Sequence, residues 1–208
     1  MHSPAPRWRR RAEARPDEIL EAALTEFDAR GFEAARMEDI ARRAGLSKAA
    51  IYLYFPSKTA LLEALIEAKV APLAKRAEVL ALDGDDHPLA ALRGIAEAVA
   101  SLMADPRVFA VPRLVIGISG RFPEIAAYYR RATVERARQA LERLIKGAIE
   151  KGAIRAVDPS AVVRSFIGPL FFEAMWTHAL GGESALADPK ALIDQHFDIL
   201  VNGLENRA

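Results

Sequence analysis

Apolar residues recur along this chain with a helical period. Ile19, Leu20, Ala23, Leu24 and Phe27 share one face of a 3.6-residue repeat. They predict a first helix that opens at Pro16, has Asp17 and Glu18 near its positive end, and stops at Gly31. "MEDIARRAG" reads as a short second helix closed by Gly45. "KAAIYLYF" reads as a short third, capped by Ser47 and broken by Pro56. Ser57 then caps a long fourth helix, with Leu61, Leu62, Leu65 and Ile66 in its stripe and Leu73 and Leu80 further on. "DGDDHP" (83–88) is a loop.

One device organises the remainder. Pro88, Pro123, Pro159 and Pro189 each stand where a helix should start, and Asp158 and Asp188 precede two of them as N-caps would. The implied helices cover about 88–104, 107–119, 123–150, 159–180 and 189–204. Pro112 and the Gly168-Pro169 pair should kink or split two of them. No strand pattern competes. The expected fold is all-α, with about nine helices: three short ones in front and a larger helical body. The expected divisions are a flexible basic arm over 1–15, a helical head over 16–60 whose pair of short helices lies at about 36–55, and a body over 61–208.

Composition narrows the picture. The 208 residues suffice for a real core, and 51% are apolar, which excludes a disordered chain. Cysteine is absent, which excludes disulfides and thiol chemistry and fits a cytoplasmic location. The four histidines have no chelating spacing, so no metal or other cofactor is expected. The most apolar stretch, 161–180, holds Arg164, Glu173 and His178, and reads as a buried helix rather than a membrane span. The arginine-rich start has no apolar run behind it and does not read as a signal peptide. The formal net charge of +1 names no partner, so the distribution of charge matters more.

That distribution is informative in "GLSKAAIYLYFPSK", residues 45–58. Two short helices joined by a glycine-containing turn, after a longer helix, form a helix-turn-helix unit. Ile40, Ala41, Leu46 and Ile51 fall where such a unit needs apolar contacts. The second short helix is about 10 Å long and fits a major groove about 12 Å wide. Lys48, Ala49, Tyr52 and Leu53 project away from Ile51 and Phe55, toward double-stranded DNA. Lys58 opens the next helix, whose free N–H groups favour a phosphate.

Residues 16–66 resemble the DNA-binding domain of the TetR family of one-component bacterial repressors, through the frame "IA..AG.S...IY.YF.SK..LL". The resemblance implies base contacts by Lys48 and Ala49, behind the Ser47 cap, and phosphate contacts by Tyr52, Tyr54 and Lys58. Arg36 replaces the usual Thr or Ser cap of the second helix; that weakens the cap and brings a cation within reach of a phosphate. Ala49 and Ala50 also depart from the family pattern, leaving readout to Lys48, thymine-methyl contacts and DNA shape.

The segment "RLVIGISGRFPEIAAYY" is similar to a subgroup of TetR ligand-binding domains. It implies a homodimer through helices 159–180 and 189–204, and a pocket for a small-molecule effector. The pocket candidates are Phe109, Arg113, Phe122, Tyr129, Phe166, Phe171, Met175, Trp176 and His178, each of which reads equally as core or dimer interface. Arg113 stands in the apolar run "VFAVPRLVIGI", where a buried guanidinium would hold a ligand carboxylate or pair with Glu173 or Glu97. His178 reads as a pocket group or a hydrogen-bonded core histidine. No nucleophile–base pair, phosphate-binding glycine loop or metalloprotease motif is present, so an enzyme is not expected. The expected function is a repressor released from a pseudo-palindromic operator by a largely apolar effector. The competing reading is a helical ligand carrier or interaction protein whose DNA-binding head does not function.

Overall fold

Proline and glycine divide the chain into helices, and apolar faces sort those helices into two cores. The computed structural model describes residues 7–84, 86–183 and 188–204, and the described residues form helices and turns without a strand. The front of the chain holds α1 (Arg7–Ala34), α2 (Met37–Arg43), α3 (Lys48–Tyr54) and α4 (Lys58–Lys69). Next come α5 (Ala71–Asp83), α6 (Pro88–Met103), α7 (Pro106–Ile118) and α8 (Pro123–Tyr129). A π-helical turn (Arg130–Val134) leads into α9 (Glu135–Glu150), followed by α10 (Pro159–His178) and α11 (Pro189–Leu204). With α4–α5 taken as one rod, and α8, the π-turn and α9 as another, these are the nine expected helices. Among the described residues no helix is long and apolar enough to cross a membrane.

Local chemistry fixes the helix ends. The hydroxyls of Ser47 and Ser57 accept from the backbone N–H groups of Ala50 and Ala60, at 3.2 and 3.1 Å. Asp158 and Asp188 cap α10 and α11 in the same way. Asp105–Pro106 repeats that signature at the start of α7. Gly31 and Gly45 turn the chain at φ +76° and +67°, where a side chain would be strained.

Three expectations need correction. The fourth helix breaks at Val70, because Pro72 in the first turn of α5 has no N–H and crowds the turn before it. Pro112 and Pro169 do not split their helices; Pro112 is buried, and its packing offsets the missing hydrogen bond. The basic arm is helical from Arg7 onward, while residues 1–6 lie outside the described residues. "RWRRRAEAR" contains no glycine and is rich in Arg, Ala and Glu, so α1 extends through it and carries Pro16 inside.

The first core joins Ile19, Leu24 and Phe27 of α1 to Ile40, Ile51, Leu61 and Leu65. The second joins α5, α6, α9, α10 and α11 around Leu92, Ile95, Leu144, Phe166, Leu170 and Ile193. Each such side chain contributes about 1.5–3 kcal/mol by leaving water. Helix α7 serves both cores: Phe109 enters the second, whereas Val111, Val115 and Ile118 enter the first.

Candidate nucleic-acid interface and effector cavity

Helix α3 hangs on one fully buried side chain, Ile51, which leaves the opposite face free. That face carries Ser47, Lys48 and Ala49 at its start, all exposed. Leu53 is 87% exposed, and Tyr52 and Tyr54 are 42% and 40% exposed. Leu46 N–H donates to the Ala41 carbonyl at 2.8 Å and fixes the crossing of α2 and α3. Arg36 is exposed at the start of α2 and makes no side-chain cap, as its replacement of Ser or Thr predicts.

Two lysines expected at the DNA surface have partners within the chain. Lys48 Nζ lies 2.7 Å from Glu38 Oε1 of α2. The Glu38 carboxylate pushes the lysine pKa up, and Lys48 pulls the glutamate pKa down. Lys58 Nζ donates to the carbonyls of Phe32 and Glu33, at 2.7 and 2.9 Å, and stands over the Phe32 ring. Partial burial pushes its pKa down. Lys58 thus closes the negative end of α1 rather than standing free for a phosphate. Its motif position alone carried no sign of this, because the carbonyls lie 25 and 26 residues earlier in the chain. Arg43 pairs with Glu26, a buried α1 carboxylate, at 2.9 Å and ties α2 to α1.

The body encloses a cavity of about 600 Å³. Its wall includes Leu73 and Ala77 of α5, Ile95 and Val99 of α6, Ile116 of α7, Leu141 of α9, and Val163 and Ile167 of α10. Of the candidates, only Tyr129 and Phe171 reach it. Phe109 and Phe166 are fully buried core residues, and Phe109 packs against the Phe171 and His178 rings. Phe122 packs edge-on to Phe32 at 5.1 Å, in the first core. Met175 packs on the second core. His178 Nε2 lies 2.9 Å from the Met103 carbonyl, as a core histidine linking α10 to α6. Trp176 faces outward and stacks on Phe172.

Arg113 is the plainest correction. Its side chain is 43% exposed and pairs with Asp28 of α1, not with Glu173 or Glu97, and it stands outside the cavity wall. The apolar neighbours that suggested burial occupy the other faces of α7. The cavity's polar groups were missed in the sequence: Thr133 and Arg138 lie in a segment read only as helix, and Arg164 in one read as a buried helix. The π-turn beside Tyr129 has no sequence signature, although such turns recur at functional sites.

Residues 19–65 match the sequence model for bacterial regulatory proteins of the tetR family, and residues 90–202 match that of the AefR-like transcriptional repressor C-terminal domain. The chain belongs to the TetR family. It is therefore a DNA-binding transcriptional regulator and not an enzyme. Over 162 residues it is 30% identical to the HTH-type transcriptional regulator RutR of Escherichia coli, spanning 74% of this chain and 71% of RutR. The TetR regulator PfmR of Thermus thermophilus is 25% identical with a TM-score of 0.71, over 92% of this chain and 97% of PfmR. The flavonoid-responsive regulator FrrA is also 25% identical, with a TM-score of 0.62 over 94% of this chain and all (100%) of FrrA. TetR regulators bind operator DNA and small-molecule effectors and act as dimers, which accords with a fold that has both an exposed helix face and a cavity.

Proposed function

We propose that the protein is a cytoplasmic homodimeric repressor that grips a pseudo-palindromic operator and releases it when an apolar effector fills the body cavity. The observation that carries this is the free face of α3, where Lys48, Ala49, Tyr52, Leu53 and Tyr54 stand exposed on a seven-residue capped helix. Lys48, Ala49 and Leu53 face base edges; Tyr52, Tyr54 and Arg36 face phosphates. Lys58 acts behind them by holding α4 to the end of α1. The head spans 16–60, with the first turns of α4 packed into its core, and the body spans 61–208.

Dimerisation is assigned to the outer faces of α10 and α11. Phe172 and Trp176 lie one turn apart on α10 and are 58% and 42% exposed, Leu180 just past the end of α10 is 65% exposed, and Ile199 on α11 is 73% exposed. Such a stripe calls for a partner surface, and a second copy supplies the same stripe by symmetry. Helix α7 would couple cavity to head. Ile116 lines the cavity, while Val115 and Ile118 beside it belong to the head core. Val70, at the α4–α5 bend, also touches both. An effector that prefers one placement of α7 shifts the separation of the two recognition helices, to the extent of its differential affinity.

The test is the mobility of the protein's own promoter fragment at several salt concentrations. Retardation that weakens with salt, with a slope set by the phosphates contacted, is expected. Absent or salt-independent binding would favour the carrier reading.

A further inference from the structure

The cavity has a distinctive electrical character. Among the described residues Arg138 and Arg164 are the charged groups of its wall, and both reach solvent, with side chains 40% and 70% exposed. Both are already neutralised. Arg138 pairs with Glu135 and Glu142. Arg164 lies 3.7 Å from Asp158 and donates to the Ser160 hydroxyl at 2.9 Å. Both guanidiniums already have carboxylate partners, so neither is free to pair with an anionic ligand.

Deeper in, the wall's polar side chains are two hydroxyls one turn apart, at the π-turn. Thr133 is 4% exposed, and its hydroxyl donates to the Tyr129 backbone carbonyl at 2.6 Å, which occupies its proton. The Tyr129 phenol remains. Burial pushes its pKa up, so it stays protonated and a donor. Among the described residues its polar neighbour is the Thr133 hydroxyl rather than a carbonyl or carboxylate, a weak acceptor that leaves the phenol able to donate to a stronger one. From Tyr129 to Leu141, at the far end of the same wall, the helix rises roughly 18 Å.

We propose that the cavity takes a neutral, elongated ligand, apolar over most of its length, that offers one acceptor oxygen (a ketone, ester or ether) to the Tyr129 hydroxyl. This rests on the reading of the cavity as the effector site. It goes further by excluding carboxylates as ligands and by naming the residue that recognises the polar end. Tyr129 also belongs to the packing around the head core, so a ligand bonded to it bears directly on the head.

The test uses Nile red, a neutral apolar dye, bound to the full-length protein and displaced by matched straight-chain compounds from hexyl to dodecyl length. Each length is supplied as methyl ester, carboxylate salt and alkyl chloride. At the lengths that fit, the ester should displace the dye at about a tenfold lower concentration than the carboxylate, since an unpaired charge is costly in an apolar site. It should outcompete the alkyl chloride about three- to tenfold, the worth of one hydrogen bond. Tyr129→Phe should erase the second advantage while leaving the melting temperature close to wild type. A carboxylate that binds as tightly as its ester, or an ester no better than the chloride in the wild-type protein, overturns the proposal. Failure of Nile red to bind removes the cavity as a ligand site and overturns both readings. An ester that binds through Tyr129 yet leaves DNA mobility unchanged overturns only the effector reading.

Discussion

Lys48 Nζ and Glu38 Oε1 stand 2.7 Å apart across the turn of the helix-turn-helix unit, so the recognition helix's cation is paired before DNA arrives. DNA must draw Lys48 away from Glu38. The pair therefore weakens attraction to any phosphate backbone and leaves a good base contact to decide binding. Glu38→Gln should tighten binding to non-specific duplex by up to about fivefold at low salt, the range of an exposed ion pair. The gain should fade as salt screens the pair. Lys48→Ala should instead cost about 1–3 kcal/mol at one operator base position. Fluorescence anisotropy on specific and scrambled duplexes separates the two effects; equal loss on both duplexes for Lys48→Ala would contradict this division.

Lys58 is expected to behave as a structural residue. Its ammonium holds two carbonyls at the end of α1 and is only partly solvated. Lys58→Ala should lower the stability of the fold by about 1.5 kcal/mol, the low end for hydrogen bonds to a charged group. The salt slope of DNA binding should stay unchanged. An unaltered thermal melt together with a slope reduced by about 0.9 would return Lys58 to a direct phosphate contact.

The two faces of the last helices should respond differently to charge. Phe197 is 8% exposed and belongs to the chain's own second core, so Phe197→Asp should cost at least about 3 kcal/mol and yield unfolded or insoluble protein. Trp176→Glu and Ile199→Glu lie on the outer stripe and should give folded monomers with weakened operator binding. Light scattering and circular dichroism at micromolar concentration read both properties. Dimers that persist in the Trp176→Glu, Ile199→Glu double variant would place the interface elsewhere.

Arg113→Ala should change stability by less than about 1 kcal/mol, because its partner Asp28 and the guanidinium are both largely in water. Effector response should be retained. A melting temperature several degrees lower, or a lost response, would show that the α1–α7 ion pair matters more than its exposure allows.

The fold was largely legible because its punctuation is local. Pro88, Pro159 and Pro189 sit in the first turns of their helices, and Ser47 and Ser57 cap theirs, each through chemistry within a few residues. Ile51 inward and Leu53 outward follow from helical period alone. Pro72 was equally local, but the apolar stripe continuing to Leu73 and Leu80 masked it. The cavity was hard to read for a different reason. Phe109, Phe166 and Tyr129 look alike in sequence as aromatics in apolar helices, and only the packing of the helices decides which of them meets empty space. Arg113 was misread because an apolar neighbourhood in sequence is not one in space: successive helical residues point in different directions.

The central claim is that two exposed α3 faces, held by one dimer, read one operator. The most direct measurement is selection of bound duplexes from a random pool by the purified full-length protein, at near-physiological salt. We predict enrichment of a pseudo-palindrome whose half-sites lie about one helical turn, or a multiple of it, apart. Lys48→Ala should relax preference at the same position in both halves. A pool that stays random, or that yields a single asymmetric site indifferent to Lys48, would contradict the account.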